Sequence, residues 1–219
     1  MLAEKNSNPL MNKERLEMFS DGVFAIAITL LILEIKIPKH EALEHTVGGL
    51  YGYLKHIWPN YLAYFVSFLM IGIYWSNHHH MFTFLIKRTN HTFNLLNILF
   101  LMTIAFMPFT TAIFGDYVLH PEYLDAATTA YTVGIMLPQP AVLFIFLYGK
   151  YKKGIFDPNL DPSFLNKQML KLLIAFVLTG VALAFSFTYP MVSIIMIGFS
   201  FLMYFMAPDM PVHKDETSA

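Results

Sequence analysis

Polar and charged side chains stand at the start of the first apolar run of the chain. Arg15, Ser20 and Asp21 precede a stretch that is apolar as far as Glu34 except for Thr29. A charged group near hydrocarbon costs about 2.5–3.5 kcal/mol even on the gentler scales, so it seldom lies there without a partner or a function. A narrow, water-poor ion pathway needs an apolar surface that is interrupted by one ring of hydroxyl groups. The chemistry that this stretch suggests is therefore the passage of an ion.

One face of the first predicted helix carries the residues that such a pathway would need. At about 100° per residue with Ile26 at zero, Leu30 falls at about 40°, Leu33 at about −20° and Thr29 at about −60°, whereas Asp21 falls at about −140°. We interpret this face as pore-lining, with the isoleucine and the two leucines as constrictions that gate by dewetting and Thr29 as the hydroxyl ring. A stripe that only packs against neighbouring helices remains the alternative.

The polar group at the start of this helix needs partners from another element. Arg15 and Asp21 are about 240° apart around the helix, so they cannot readily pair with each other. Trp75 and the run His78–His80 reach the same membrane boundary from the second predicted helix, which predicts a network that ties the two helices together. A proton relay is the alternative, because histidine titrates near neutral pH. Consecutive histidines on a helix point about 100° apart, so the run disfavours a metal site.

Composition predicts an all-α polytopic membrane protein. Hydrophobic residues make up 56% of the chain and charged residues 13%, against about 45–50% and about 25% in soluble domains. The net charge of −1 gives no indication of a nucleic-acid partner, and without cysteine there is no disulfide or thiolate site. No phosphate-binding glycine loop, nucleophile elbow or carboxylate pair is present, so we expect neither an enzyme nor a cofactor. Six membrane spans are predicted, at residues 16–35, 58–84, 93–114, 125–149, 167–187 and 191–207.

The basic residues predict the orientation of these spans. With six crossings, eleven Lys and Arg residues fall on the side of both termini and three on the other side, which together make all 14. Both termini are therefore expected in the cytoplasm, as residues 1–15 and a tail at 208–219 around a membrane domain at 16–207. The polar start of the chain predicts that the first span is a retained signal anchor. The lysines of loop 150–166 either touch anionic headgroups or lie in a solvated turn.

A short segment of the fourth span begins like a potassium-filter signature. It reads Tyr131-Thr-Val-Gly-Ile-Met136 and lacks the Tyr-Gly that completes such a filter. The segment also lies inside a predicted helix rather than in a re-entrant loop. We therefore predict ordinary membrane helix here, and any ion selectivity must come from a source other than rings of carbonyl groups.

The first three spans resemble a known family of membrane proteins. The motif Arg15-x-x-x-Phe19-Ser20-Asp21 is similar to the signature of the transmembrane-protein-175 family, which comprises lysosomal potassium channels and their single-repeat prokaryotic relatives. The last three spans resemble the family only in number and length. The resemblance extends through 22–31, 58–62, 75–79, 97–101 and 107–110.

The resemblance implies a potassium-permeable channel without the usual filter loop, with a modest preference for K⁺ over Na⁺. It further implies a homotetramer in a prokaryotic plasma membrane, surrounded by lipid, in which the first helix of each copy lines the pore. By position, Ile26 would form the narrow constriction, Leu30 and Leu33 further layers, and Thr29 the hydroxyl ring linked to cation preference. The structural network would consist of Arg15, Phe19, Ser20, Asp21, Trp75 and His78.

Two other classes of function stay open. A proton-coupled transporter would use Asp21 and the cluster His78–His80. Transporters usually contain repeats, broken helices and a polar site at mid-membrane, whereas the middle of the first span offers little beyond Thr29. The third class is a structural or chaperone-like membrane protein, in which the polar group only holds helices together.

Overall fold

Helices account for the regular structure of the chain. The computed structural model describes residues 11–44 and 46–205. Within these residues the only β-structure is two isolated bridges. This confirms the predicted all-α fold class and agrees with the need of apolar segments to satisfy their backbone polar groups internally. The helices are α1 (Glu14–Leu30) with a 3₁₀ turn (Leu31–Glu34), α2 (His40–Glu44), α3 (Gly49–His56), α4 (Trp58–His80) with a π-helical turn (Met81–Leu85), α5 (His91–Tyr117), α6 (Leu124–Met136), α7 (Pro138–Tyr151), α8 (Pro162–Ser186) and α9 (Pro190–Phe205).

The central element is α5, which contacts α1, α4, α6 and α7. Asn90 caps its first turn by accepting a hydrogen bond from the backbone N–H of Phe93 at 2.9 Å. Phe93, Phe100 and Ile104 are fully buried among the surrounding helices. α1, α4, α6 and α7 thus pack around α5, whereas α8 contacts α6, α7 and α9.

The fourth predicted span is divided into two helices. α6 ends at Met136 and α7 begins at Pro138, with Leu137 in helical conformation between them. Proline has no backbone N–H to donate to the preceding turn, which explains the break. The segment that resembles a potassium filter lies within α6, as predicted, and Gly134 there approaches Thr110 of α5 so closely that a Cβ atom would collide with it.

The described helices supply four or five segments that could cross a membrane. Four helical segments are long and apolar enough to span a bilayer, namely α1 with its 3₁₀ turn, α5, α6 joined to α7, and α8. α3 and α4 make a fifth when taken together, with a bend of 44° between them. α9 has 16 described residues, which is about 24 Å of helix against a hydrocarbon core of about 30 Å. Six crossings remain a prediction, and the predicted tail at 208–219 lies outside the described residues.

The residues just before α1 and two connections between helices meet at one end of the helix bundle. Met11, just before α1, forms a β-bridge with Thr89 of the α4–α5 connection, and Ile86 of that connection forms another with Phe156 of the α7–α8 connection. Lys13 Nζ also donates a hydrogen bond to the carbonyl of Ile86 at 2.8 Å. Residues 11–13 and both connections therefore lie on the same side, which is the arrangement that the predicted orientation requires.

Candidate functional site

α1 has one face that is buried in the subunit and one face that is exposed. Phe24, Ala27 and Leu31 are buried against the rest of the chain. On the other side Ile26 is 61% exposed and Leu30 is 42% exposed, although both are as apolar as the buried residues. The predicted stripe is thus the face that α1 turns away from its own subunit.

The C-terminal part of this stripe departs from the geometry of an α-helix. The chain tightens to a 3₁₀ turn at Leu31–Glu34, and side chains three residues apart eclipse in such a turn. Leu33 therefore stands nearly above Leu30, rather than about 60° from it as a continuous α-helix would place it. Leu33 remains 63% exposed, so the two leucines form one column.

Thr29 is exposed on the same face, and its hydroxyl group is turned back onto the helix. The Oγ1 atom donates towards the carbonyl oxygens of Ala25 and Ile26, each at 2.9 Å. Because a hydroxyl has a single proton to donate, its lone pairs are left facing outward. The residue therefore offers an acceptor, and not a donor, to whatever lies in front of the stripe.

A fully buried hydrogen-bond chain joins α1, α5 and α4. The side-chain amide of Asn97 donates to Ser20 Oγ at 2.8 Å, and its oxygen lies 2.9 Å from Nε2 of His78. Ser20 Oγ in turn donates to the carbonyl of Leu16 at 2.8 Å. The chain fixes the rotation of α1 against the other two helices, because a different rotation would leave these buried polar atoms unpaired.

Aromatic rings enclose the histidine end of this chain. His78 stacks on Phe82 with ring centroids 4.4 Å apart and on Phe100 at 5.6 Å, and Phe24 of α1 lies 5.5 Å away. Its Nδ1 atom has no hydrogen-bond partner among the described residues. His78 is therefore the last member of this series of hydrogen bonds, which does not continue to a further group.

A second, more accessible contact joins α1 to α4. Trp75 Nε1 donates to Asp21 Oδ1 at 2.9 Å, and the indole ring stacks on His79 with planes only 16° apart. His79 Nδ1 lies 3.4 Å from Oε1 of Glu17, one helical turn before Asp21. The three histidines thus point in different directions, with His80 packed against Phe84.

The predicted network divides into residues that meet and residues that do not. Ser20, Asp21, Trp75 and His78 lie between α1, α4 and α5, although Asp21 and His78 belong to separate contacts. Arg15 and Phe19 are exposed, and the side chain of Arg15 has no hydrogen bond or ion pair among the described residues. Their part in the network therefore stays a prediction. At about 100° per residue both fall on the same side of α1 as Ile26, because Arg15 precedes Ile26 by about three turns and Phe19 precedes it by about two.

Sequence reasoning did not single out Asn97 or the contact of Glu17 with His79. The signal that would have revealed Asn97 is an amide between the apolar residues Leu96 and Ile98, since a polar side chain there needs a partner from another helix. Glu17 carries no comparable signal, because an acidic residue in the first turns of a helix is ordinary.

Known proteins resemble this chain in sequence and fold. Residues 15–108 match the family described as "Endosomal/lysosomal potassium channel TMEM175". A potassium channel of Chamaesiphon minutus is 52% identical over 52% of this chain and 55% of its own length. A potassium channel of a Chryseobacterium species is 31% identical over 93% of this chain and 97% of its own length. The chicken protein named "Endosomal/lysosomal proton channel TMEM175" is 44% identical over 51% of this chain, which is 23% of that protein.

A solved structure extends the similarity to the fold. The crystal structure of a lysosomal potassium-selective channel TMEM175 homolog from Chamaesiphon minutus has a TM-score of 0.74 and 35% sequence identity. The match covers 88% of this chain and 94% of that one. The family and these relatives are ion channels and not enzymes. With its match to nearly the full length of a bacterial potassium channel, the chain belongs to the TMEM175 family of ion channels, among the prokaryotic members.

Proposed function

We propose that the chain forms a potassium-permeable cation channel in which α1 from each of four copies lines the pore. Both termini lie in the cytoplasm and the membrane is a prokaryotic plasma membrane. The bacterial relatives named as potassium channels support the choice of ion. A closed ring of copies is required, because one helix cannot enclose a pathway whereas symmetric copies around an axis can.

The observation that carries the proposal is the exposed apolar stripe of α1. Its other face packs against α4 and α5, so the fold of the subunit positions the stripe rigidly without covering it. The side chains of Ile26, Leu30 and Leu33 then form successive collars around the axis. Water leaves such collars readily, so they oppose ion passage unless the ring widens.

Thr29 supplies the preference for cations in this proposal. Four copies place four hydroxyl oxygens around the axis, each with its lone pairs free because its proton is used by the backbone. Such a ring replaces only part of the hydration shell of an ion, so we expect a modest preference for K⁺ over Na⁺. The carbonyl-lined filter of other potassium channels has no role here.

The contacts of α1 with α4 and α5 hold the stripe at a fixed rotation. The buried chain of Ser20, Asn97 and His78 and the accessible pair of Asp21 and Trp75 lie on the opposite side of α1 from the pore. Arg15 and Phe19 are exposed in one subunit, and in the tetramer they meet the neighbouring copies.

A proton-conducting or proton-coupled activity is the second candidate. The contact of Glu17 with His79, next to Asp21 and Trp75, supports it, and the chicken relative is named as a proton channel. His78 is the weaker participant, since its Nδ1 atom has no described partner to receive a proton.

Flux through reconstituted protein distinguishes the two candidates. Purified protein is placed in liposomes with a K⁺ gradient, and flux is followed with and without a protonophore that clamps the proton gradient. The channel predicts electrogenic K⁺ flux without stoichiometric proton movement, and flux that stays unchanged in Glu17→Gln and His79→Gln variants. Strict coupling to protons would favour the second candidate, and absence of any flux would favour a structural protein.

A further inference from the structure

Lysines from two helices gather where α7 ends and α8 begins. Lys150 lies in the last turn of α7, Lys152 and Lys153 directly follow this helix, and Lys167 lies in the second turn of α8. Lys150 Nζ donates to Oδ1 of Asn166 at 2.6 Å, which holds the end of α7 beside the residue that precedes Lys167. These four lysines are called the basic corner below.

The carboxylates near the basic corner are engaged elsewhere. Asp157 pairs with Lys87 at 2.9 Å, and Asp161 caps α8 by accepting a hydrogen bond from the backbone N–H of Phe164 at 3.3 Å. Among the residues that the structure describes, no carboxylate forms an ion pair with a lysine of the corner. No carboxylate among the described residues therefore neutralises the positive charge of the basic corner.

An apolar face continues from the basic corner towards the middle of α8. Leu170, Ile174 and Val177 follow Lys167 at helical spacing, and all three are exposed. Tyr151 at the end of α7 is 73% exposed, as aromatic residues at a membrane boundary commonly are. The surface thus joins a cationic end to an apolar stem, in the order in which a phospholipid presents its headgroup and its acyl chains.

We propose that the basic corner binds the headgroup of an anionic phospholipid, with an acyl chain along the exposed face of α8. Charge complementarity selects an anionic lipid over a zwitterionic one, because a zwitterionic headgroup carries its own cation to oppose the lysines. The ends of α7 and α8 place the lysines at the boundary of the membrane. The proposal requires a protein embedded in lipid but is independent of which ion crosses the pore.

Lipid binding to purified protein tests this site. The protein in detergent is titrated with phosphatidylglycerol or phosphatidylcholine, and bound lipid is counted by native mass spectrometry. We expect phosphatidylglycerol to bind several-fold more tightly. Each basic residue near an anionic surface strengthens binding about fivefold, so Lys152→Gln, Lys153→Gln and Lys167→Gln together should weaken it about a hundredfold.

A matched variant controls for the change in net charge. Lys36→Gln, Lys39→Gln and Lys55→Gln also remove three positive charges, from the opposite end of the bundle, and should leave phosphatidylglycerol binding unchanged. Equal loss in both triple variants, no loss in the first, or equal affinity for the two lipids would overturn the proposal. So would displacement of the lipid by millimolar glycerol 3-phosphate, because a site for free phosphate would not need the apolar face.

Size-exclusion profiles identify variants that fail to fold. In that event the double variant Lys152→Gln and Lys153→Gln, both in an exposed turn, carries the test with an expected loss of about twenty-fivefold. Unchanged phosphatidylglycerol binding in the folded double variant would equally reject the site. Ion flux plays no part in these measurements, so a failed channel assay leaves their interpretation intact.

Discussion

Asn97 is fully buried, and both ends of its side-chain amide are hydrogen-bonded to other helices. One end donates to Ser20 of α1 and the other meets Nε2 of His78 of α4. Few side chains can satisfy an acceptor and a ring nitrogen on two separate helices at once, because this requires a donor and an acceptor on one rigid group. Asn97 is therefore the residue through which α5 fixes the two neighbouring helices.

Replacing Asn97 by alanine should destabilise the fold by about 1–3 kcal/mol, because Ser20 and His78 would lose a partner in a buried site. Thermal unfolding of the detergent-solubilised protein measures the loss. Asn94 lies nearly one turn earlier on α5, and its Oδ1 atom has no hydrogen-bond partner in the described part of the chain. Asn94→Ala should therefore cost much less, and equal losses would show that the chain of hydrogen bonds contributes nothing beyond helix packing.

Thr29→Ala should lower the ratio of K⁺ to Na⁺ permeability by about twofold or more, equivalent to roughly 0.4 kcal/mol or more. The reason is the loss of the outward-facing hydroxyl oxygens, while the apolar collars remain. Reversal potentials under biionic conditions measure the ratio. Thr29→Ser keeps the hydroxyl and should restore it, and Thr103→Ala removes a comparable intrahelical hydroxyl from α5 without effect. A ratio that stays constant in Thr29→Ala would exclude the residue from the pathway.

At the scale of residues, the sequence predicted the face of α1 better than the contacts that position it. Periodicity was sufficient to place Ile26 and Leu30 on one face, since both lie in regular helix. The position of Leu33 was less accurate, because nothing in its local sequence indicated that the helix would tighten to a 3₁₀ turn. The partner of Ser20 could not be predicted, since it depends on how three helices pack rather than on spacing within one.

At the scale of elements, α1 combines a fixed face with an uncovered one. The fixed face packs on α4 and α5, and the uncovered face carries apolar side chains of 42–63% exposure at Leu30, Ile26 and Leu33. An uncovered apolar face is compatible with lipid or with a dry pathway. The two environments respond differently to a polar substitution, because lipid excludes the new group whereas a pore becomes wetted by it.

Ile26→Asn should therefore raise K⁺ conductance by at least about threefold, equivalent to roughly 0.7 kcal/mol off the barrier. The added amide holds water at the narrowest collar and opposes dewetting. Ile32→Asn is the matched control, since Ile32 is 51% exposed on the same element but points about 120° away from Leu33 in the 3₁₀ turn. Single-channel recordings in planar bilayers provide the measurement. Equal currents in the wild type and a correctly folded Ile26→Asn variant would remove Ile26 from the pore.

The boundaries of elements were predictable where composition changes sharply and less so elsewhere. The start of α4 at Trp58 and of α9 at Pro190 agree with the prediction within one residue, because proline favours the first turn of a helix. α8 begins at Pro162, five residues before the predicted span, since its first turns are polar and lack the hydropathy of a membrane segment. The helices α2 and α3 lie in a connection that hydropathy alone left without structure.

At the scale of the whole molecule, the proposed channel is an assembly of several chains. In this proposal the stripe of α1 completes a pathway only when copies of it face one another around an axis. The fold of the subunit is consistent with this, because α5 and its neighbours support α1 from one side only. Copy number is the quantity that neither periodicity nor the packing of one chain determines.

Disulfide cross-linking tests this arrangement directly. The chain contains no cysteine, so any disulfide that forms must join two copies through the one cysteine that is introduced. If four copies surround one axis as proposed, Ile26→Cys should give covalent dimers on mild oxidation in membranes. A disulfide forms only where the two Cα atoms approach within about 7 Å. Val177→Cys is the control, because its side chain is similarly exposed at 59% but lies on α8, away from α1. Denaturing gels without reductant measure the products. Equal cross-linking at both positions would indicate random collision in the membrane, and none at Ile26 would place the stripe against lipid rather than around a pore.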